Sequence, residues 1–347
     1  MTSAQEQREQ VRDMATRFAQ QHIAPLVDPP GADGDASKKA VFEAGLETGF
    51  DRIALSEDAG GFGFGMPELC TLVESLAETS ASYAMLFGVE AAARSALANH
   101  LPAAGEGRGL PLGLAIGEPV SKCDFDHTTF VFNAVSGGDV LRLSKDGDGA
   151  AVVTLLNLAE LIRPIVWEKS LGLELLSFGH LEVLEHSPVA ASKVIATGQQ
   201  AIELYGSLLA RLSLVSAACA AGLENMAYRK ALAYASERYQ GGKEIIDHTH
   251  LRTVLGAMAA NCTVGSSVVL GAAADLSLRH ALAAKISVTE SCVRVCTDAV
   301  QILGGYGYMK DYGLEEKMRD AAMLALFPLS NSRAELLIAA ADRDSFS

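Results

Sequence analysis

Cys292 and Cys296 stand one helical turn apart, the spacing of a redox or metal-binding pair. A metal site needs further ligands at matching spacing, and no second Cys/His pair supplies them. The six cysteines (Cys70, Cys123, Cys219, Cys262, Cys292 and Cys296) are scattered in Ala-rich surroundings. They read as small buried side chains of a cytoplasmic chain in a reducing compartment. "DHTH" offers Asp247, His248 and His250, but on a helix residues two apart face different sides. "GGDVLRLSKDGDG" has glycines and acids without the spacing of a calcium loop, and reads as a turn. No metal is expected. What remains is the stretch from Ala299 to Leu337, "AVQILGGYGYMKDYGLEEKMRDAAMLALFPLSNSRAELL". It is dense in Gly and Tyr, continues into a charged helix-like run, and carries Pro328 in its second half.

Three zones must position these residues. The first, 1–110, is helical: "TSAQEQREQVRDMATRFAQQH" sets Val11, Met14, Ala15, Phe18 and Ala19 on one stripe. "ALSEDAGGFGFG" is a Gly-rich break before a helix from Met66 to Ala77. The second zone, 111–194, holds short runs rich in Val, Leu and Phe ("TTFVFNAV", "DVLRLS", "AAVVTLLNL", "LLSFGHLEVLEH") separated by turns, and reads as a small central β domain. The sole tryptophan, Trp167, is expected to pack inside it. The third zone, 195–347, is Ala-rich and helical. One stripe runs through Leu212, Val215, Cys219, Gly222 and Met226, another through Cys292, Val295, Cys296, Ala299 and Leu303. The expected fold is α+β and mainly α, ending in a four-helix bundle. Apolar residues on more than one helix face predict a dimer or tetramer built through the bundle.

The chain has 347 residues, with 28 Lys+Arg against 42 Asp+Glu and a net charge of −14. That balance argues against a nucleic-acid partner. No apolar run is read as reaching the ~18–20 residues of a membrane span, and "MTSAQEQREQVRD" has no apolar signal region.

The order helices, β domain, helix bundle carries a further pattern. "QILGGYGYMKDYGLEEKMRDA" closely resembles the C-terminal signature of the acyl-CoA dehydrogenase family. "EQREQVRDMATRFAQQHIAP" is similar to that family's N-terminal helix, and "IALSEDAGGFG" to its "PEEYGGxG" loop. "AETSASYAMLFGVE" is similar to the helix after it. "GEPVSKCD" is a worn copy of the flavin-side loop "TEPxxGSD". "WEKSLGLELLSFGHLEVLEHSPV" resembles the β-domain exit, and "YASERYQGGKEIIDHTHLRTVLGAM" resembles "YAxxRxxFGxPIxxFQxxxxxLADM". The resemblance covers most of the chain and implies the fold already read from the zones.

It also implies a chemistry. In that family a Glu removes the α-proton of an acyl thioester while the β-hydrogen leaves as hydride to flavin N5. The Glu commonly sits in a "YEGTS" loop after the "MRDA" helix. Counting from Arg319-Asp320, this chain reads "MLALFPLSNS", with Pro328 at the Glu position. Other members place the base near the start of the first bundle helix, which by counting back from Glu237-Arg238 falls at Leu212. Neither residue accepts a proton, so no catalytic residue is expected. Glu203 lies upstream of Leu212, and Glu335 is expected to face away.

On the flavin side the loop keeps Glu118, Pro119 and Asp124 but has Gly117 for the leading Thr and Lys122-Cys123 for the Gly-Ser pair. The "WITNA"-type strand that packs on the isoalloxazine in relatives is not recognisable in "FDHTTFVFNAVSGGD", and a strand or two is expected to be missing. Arg238 stands where a guanidinium reaches the flavin pyrophosphate across a subunit interface, a bidentate contact that Arg suits. The pair Gly241-Gly242 is expected to terminate its helix. Gln301, Gly304 and Gly305 suit close approach to the ADP moiety of a neighbouring subunit. His248 and Thr249 occupy the "FQ" positions at the interface.

The implied cofactor is FAD, bound together with a partner subunit. The implied partners are an acyl-CoA, a catalytic sister subunit and an electron-transferring flavoprotein. The reading placed first is a base-deficient subunit of a hetero-oligomeric acyl-CoA dehydrogenase. The alternatives are a flavin monooxygenase-type member of the wider superfamily and a non-redox, acyl-CoA-binding homo-oligomeric scaffold.

Overall fold

The computed structural model describes residues 3–27, 35–100, 112–115, 128–133, 138–145, 150–157, 166–182 and 192–345. Helix α1 (Ser3–Phe18) buries Val11, Ala15 and Phe18, and a π-helical turn (Ala19–Ile23) and α2 (Ala24–Val27) continue it. After α3 (Asp35–Thr48) and the Gly-rich break come α4 (Met66–Ala77) and α5 (Ala81–Leu97), both buried almost all round. Helix α4 starts at Met66 for local reasons. Pro67 is preset for a first turn, and the Glu68 carboxylate accepts the Gly65 N–H at 3.0 Å.

Strands β1 (Gly113–Ala115), β2 (Thr128–Phe132), β3 (Asp139–Lys145), β4 (Ala151–Asn157), β5 (Val166–Glu168), β6 (Phe178–Glu182) and β7 (Ser192–Thr197) form one sheet in the order β5-β6-β2-β1-β3-β4-β7. Strands β1 and β3 pair in parallel, and the other neighbours are antiparallel. The two-residue period of a strand sends Leu114, Phe132, Leu141, Leu155 and Phe178 to the helical side, where they join one continuous core with the bundle. Trp167 does not pack inside the domain as expected. It lies on β5, at the end of the sheet order, and is 48% exposed.

Helix α6 (Gly198–Glu237) is the central strut, packed against α4, α5, α7 (Thr249–Asp275) and α8 (Leu278–Leu303). A Cβ at Gly222 would lie 2.2 Å from the Glu74 carbonyl oxygen, so only glycine lets α6 lie this close to α4. Helices α9 (Leu314–Leu324) and α10 (Asn331–Ser345) pack back onto α8. Cys292 and Cys296 point into the bundle core with sulfurs 3.9 Å apart, and burial pushes the Cys292 thiol well above its ordinary range. They pack as core residues.

By length and composition α6 and α7 are each apolar enough to cross a membrane, a feature the sequence reading did not anticipate. Helix α6 buries its apolar stretch inside the bundle. Helix α7 leaves most of its outward side uncovered.

Two carboxylates are sealed into the seam between α4, α6 and α7. Glu74 accepts hydrogen bonds from Ser266 Oγ at 2.7 Å and Asn225 Nδ2 at 3.2 Å. Glu224 is fully buried, and among the described residues neither of its oxygens has a partner in hydrogen-bond geometry, although the Ser291 hydroxyl lies nearby. Burial pushes its carboxyl up to about 7, only partly offset by Ser291 and Arg294. The folded chain therefore holds a proton that the unfolded chain releases above the ordinary glutamate value of 4.5. Wild-type stability falls as pH rises from there through about 7. Glu224→Gln removes this burden. It should stabilise the chain by about 1–3 kcal/mol above pH 7 and by little at pH 4. Chemical unfolding at the two pH values checks it, and a Gln variant no more stable than wild type at pH 8 contradicts it.

Candidate functional site

Helix α6 ends at Glu237, and Arg238 turns into an extended conformation. Its carbonyl accepts the Ile245 N–H at 2.8 Å. Between them β8 (Tyr239–Gln240) and β9 (Lys243–Glu244) form a ribbon turned at Gly241 (φ +67°) and Gly242 (φ +86°). Two consecutive positive φ values are what a two-residue hairpin turn demands. The glycine pair thus makes a hairpin, where the sequence reading took it for a helix terminator. The Arg238 guanidinium is exposed and has no carboxylate partner among the described residues.

At the adjacent end of the bundle α8 stops at Leu303. Gly304 adopts φ +59° and ψ −131°, a conformation side-chain-bearing residues avoid. A Cβ on Gly304 or Gly305 would meet nothing, so the backbone there faces open space. Gln301 Nε2 donates to Tyr308 Oη at 3.1 Å. These elements enclose a cleft of about 620 Å³ lined by Arg238, Gln240, Gln301, Gly304, Gly305 and Tyr306, among others. Four residues singled out from sequence, 67 positions apart at the extremes of Arg238 and Gly305, thus meet in one cleft. Tyr306 stacks toward Tyr312 at 5.1 Å and Tyr308 is exposed, giving the cleft an aromatic rim not anticipated from sequence. His248 sits beside it, its Nε2 3.1 Å from the Gln240 carbonyl. Among the described residues no group of three His, Cys, Asp or Glu could hold a metal. Glu118 and Asp124 lie outside the described residues.

The second region is the turn between α9 and α10. Leu212, at one base position, is 0% exposed. At the other, Pro328 is half-buried between buried Phe327 and Leu329. The segment standing in the place of the "WITNA"-type motif holds β2, which ends in Phe132 and is followed by Asn133 at φ +57°. The Phe132 ring lies 4.2 Å from that of Phe327 and 5.3 Å from that of Phe178. The sheet face turned toward the bundle is therefore in direct aromatic contact with the turn that follows α9.

That turn is held from both sides. Ser216 Oγ of α6 donates to the Leu324 carbonyl at 3.0 Å. Lys285 of α8 donates to the Ala325 and Leu329 carbonyls and to Asn331 Oδ1, at 2.8, 2.7 and 2.6 Å. Lys285 is 0% exposed, and burial pushes its amine down to about 7. Nothing in the sequence marks it, because one Lys in an amphipathic helix reads as a surface residue.

The carboxylates in the region point elsewhere. Glu203 and Glu335 are exposed. Asp320 is buried and accepts the Leu173 N–H at 2.6 Å, and burial raises its carboxyl to about 6. It docks the β-domain loop at Gly172, where a Cβ would come within 2.3 Å of the Arg319 carbonyl. Arg319 completes the seam with ion pairs to Glu315 and Glu174.

Residues 5–104 match the acyl-CoA dehydrogenase N-terminal domain, and residues 203–328 match the acyl-CoA dehydrogenase C-terminal domain. The probable acyl-CoA dehydrogenase YngJ of Bacillus subtilis (strain 168) is 26% identical, covering 96% of this chain and 97% of that protein. A cyclohexane-1-carbonyl-CoA dehydrogenase of Syntrophus aciditrophicus (strain SB) is 32% identical over 134 residues, 37% of this chain and 35% of that protein. Among solved structures, butyryl-CoA dehydrogenase from Megasphaera elsdenii superposes with a TM-score of 0.82 at 20% identity, covering 98% of both chains. That last likeness speaks for the fold. With both terminal domains matched and the whole architecture shared, the chain belongs to the acyl-CoA dehydrogenase family.

Proposed function

We propose that this chain is the non-catalytic subunit of a hetero-oligomeric, FAD-dependent acyl-CoA dehydrogenase. A sister chain brings the catalytic Glu and the isoalloxazine site. This chain supplies Arg238, Gln301 and the Gly304-Gly305 backbone to the ADP end of a flavin held by that sister.

The observation that carries the reading is the Phe132–Phe327 contact across the seam between sheet and bundle. The two ends of the flavin fit this chain differently. The open glycine backbone, the unpaired guanidinium and the Gln301 amide suit a diphosphate and its sugar. The ring end does not fit. The strand that would lie against an isoalloxazine already has its aromatic residue packed on Phe327 and Phe178. No proton acceptor stands at Pro328 or Leu212. No step of dehydrogenation is assigned to this chain, and its task is to hold and orient. The flavin, when bound, supplies the hydride acceptor. A flavin-dependent oxygenation is disfavoured on the same ground, since it too needs a ring site. The substrate of the complex is read as an acyl-CoA and its electron acceptor as an electron-transferring flavoprotein.

The test is co-purification with a family member that carries an intact "YEGTS" loop. Arg238→Ala should lower flavin retention in the complex without affecting the fold, because no core volume is lost. Arg238→Lys should rescue only in part, since Lys lacks the bidentate fork. The contact is exposed, so salt should weaken it over the ~8–10 Å screening length. Unchanged flavin content in Arg238→Ala would move the scaffold reading to the front.

A further inference from the structure

Arg94 and Arg211 carry the same charge in different company. Arg94 of α5 is buried and gathers two carboxylates, Asp51 at 3.1 Å and Glu90 at 2.7 Å. Arg211 of α6, which meets the next residue of α5, Ser95, is half-buried and has no carboxylate partner among the described residues. Its Nη1 donates to the carbonyl and the hydroxyl of Ser207, one turn back on α6, and its Nε reaches Ser95 Oγ at 3.4 Å. Burial pushes the guanidinium below its ordinary range, and no neighbouring charge offsets that. Glu203, two turns back along α6, is exposed and accepts the Gln199 amide at 3.1 Å.

The two serines are also unusual. Both hydroxyl oxygens accept from the guanidinium, which leaves each hydroxyl a hydrogen to give. Helical serines elsewhere in the chain give theirs to the carbonyl four residues back: Ser75 to Thr71, Ser236 to Leu232 and Ser267 to Thr263. Among the described residues Ser95 and Ser207 give theirs to no acceptor, and Nη2 of Arg211 has none either. One permanent cation and two hydroxyls thus stand within a guanidinium's reach of one another on the α5–α6 seam, with donors unspent.

We propose that Arg211, Ser95 and Ser207 form a binding site for a small oxyanion, the phosphate or carboxylate group of a metabolite-sized molecule. Every unspent group at the site is a donor, which disfavours a cation and fits an anion. The planar guanidinium matches both oxyanions in shape and charge. Ser207 and Ser95 hold it in place beforehand, so less ordering is left to be done on binding. Arg238 lies 27 residues further along the same chain, roughly 40 Å away at ~1.5 Å per helical residue. The site is therefore distinct from the Arg238 cleft, and the inference does not depend on the role given to that cleft.

Calorimetric titration of the full chain at constant ionic strength tests it, with inorganic phosphate in one arm and succinate in the other. Circular dichroism confirms each variant's fold. Wild type should bind at least one of the two saturably at millimolar concentration, and the tighter of the two identifies the group as phosphate or carboxylate. Arg211→Gln should abolish that binding, and Arg211→Lys should restore only part of it, since Lys lacks the fork. Ser95→Ala and Ser207→Ala should each weaken it about tenfold, the loss of one hydrogen bond to a charged group. Arg17→Gln, which removes an exposed arginine of α1, should bind as wild type does. Saturable binding of neither anion would overturn the proposal. So would binding that survives Arg211→Gln, binding indifferent to both serine variants, or an equal loss in Arg17→Gln, which would mark a general response to net charge.

Discussion

Purified without a sister subunit, the chain should reduce no electron-accepting dye at a useful rate with straight-chain, branched or cyclic acyl-CoA. Two losses combine. A positioned base contributes about 10²–10⁴-fold, and on the proposed account neither Pro328 nor Leu212 supplies one. The second loss is the ring site, where Phe132 lies 4.2 Å from Phe327. Pro328→Glu alone should therefore fail to create activity. The new carboxylate would sit in a turn packed by buried Phe327 and Leu329, and on the proposed account no flavin ring lies beside it. Dye-coupled assays of wild type and Pro328→Glu, each with and without added FAD, decide it. Robust turnover by the wild type alone would show that another carboxylate serves as base, and turnover by Pro328→Glu alone would show that the ring site is intact.

Lys285→Met should cost about 1–3 kcal/mol of stability. The side chain volume is nearly kept, so the loss isolates the ammonium. Three oxygens, on Ala325, Leu329 and Asn331, lose the ammonium, but Ala325 keeps the Asn331 N–H at 3.2 Å and Asn331 Oδ1 keeps the Thr289 hydroxyl at 3.3 Å, so the Leu329 carbonyl is the one left without its donor. A buried acceptor left unpaired costs about 1–3 kcal/mol, more where a charged partner is withdrawn. These surviving bonds make the loss smaller than that of three unpaired acceptors. Removing the buried charge also returns some desolvation energy. Denaturant unfolding measures the total. Hydrogen exchange should rise first in α10 and the turn, because these segments lose their anchor to α8. A variant as stable as wild type would mean that the turn is held by Phe327 and Leu329 packing alone.

How much of this was legible in the sequence depends on the residue. The stripes of α1, α6 and α8 were plain because they repeat at helical spacing over many turns, and the start of α4 at Met66 followed from the Gly-rich break before it. Arg238, Gln301, Gly304 and Gly305 were found by motif order, and the fold brings them into one cleft. The glycine pair at 241–242 was misread because a hairpin turn and a helix terminator ask for the same positive φ. Trp167 was misplaced because a large aromatic in a β run gives no sign of whether its strand is central or at an edge. Phe132, Phe327 and Lys285 were missed for a common reason. Each acts through a contact across the sheet–bundle seam or between helices, and such contacts leave no local spacing to read. The exposed face of α7 was half legible. Its lack of charge is in the sequence, but which side faces outward is set by packing on α6 and α8.

The account rests on this chain offering one end of a flavin site and lacking the other. The most direct measurement is the ratio of flavin to each subunit in the purified complex with a sister chain, by absorption spectrum and quantified subunit bands. The expected ratio is one flavin per pair of unlike chains, with no flavin on this chain when purified alone. One flavin per chain of either kind, or a flavin spectrum from the isolated chain, would contradict it.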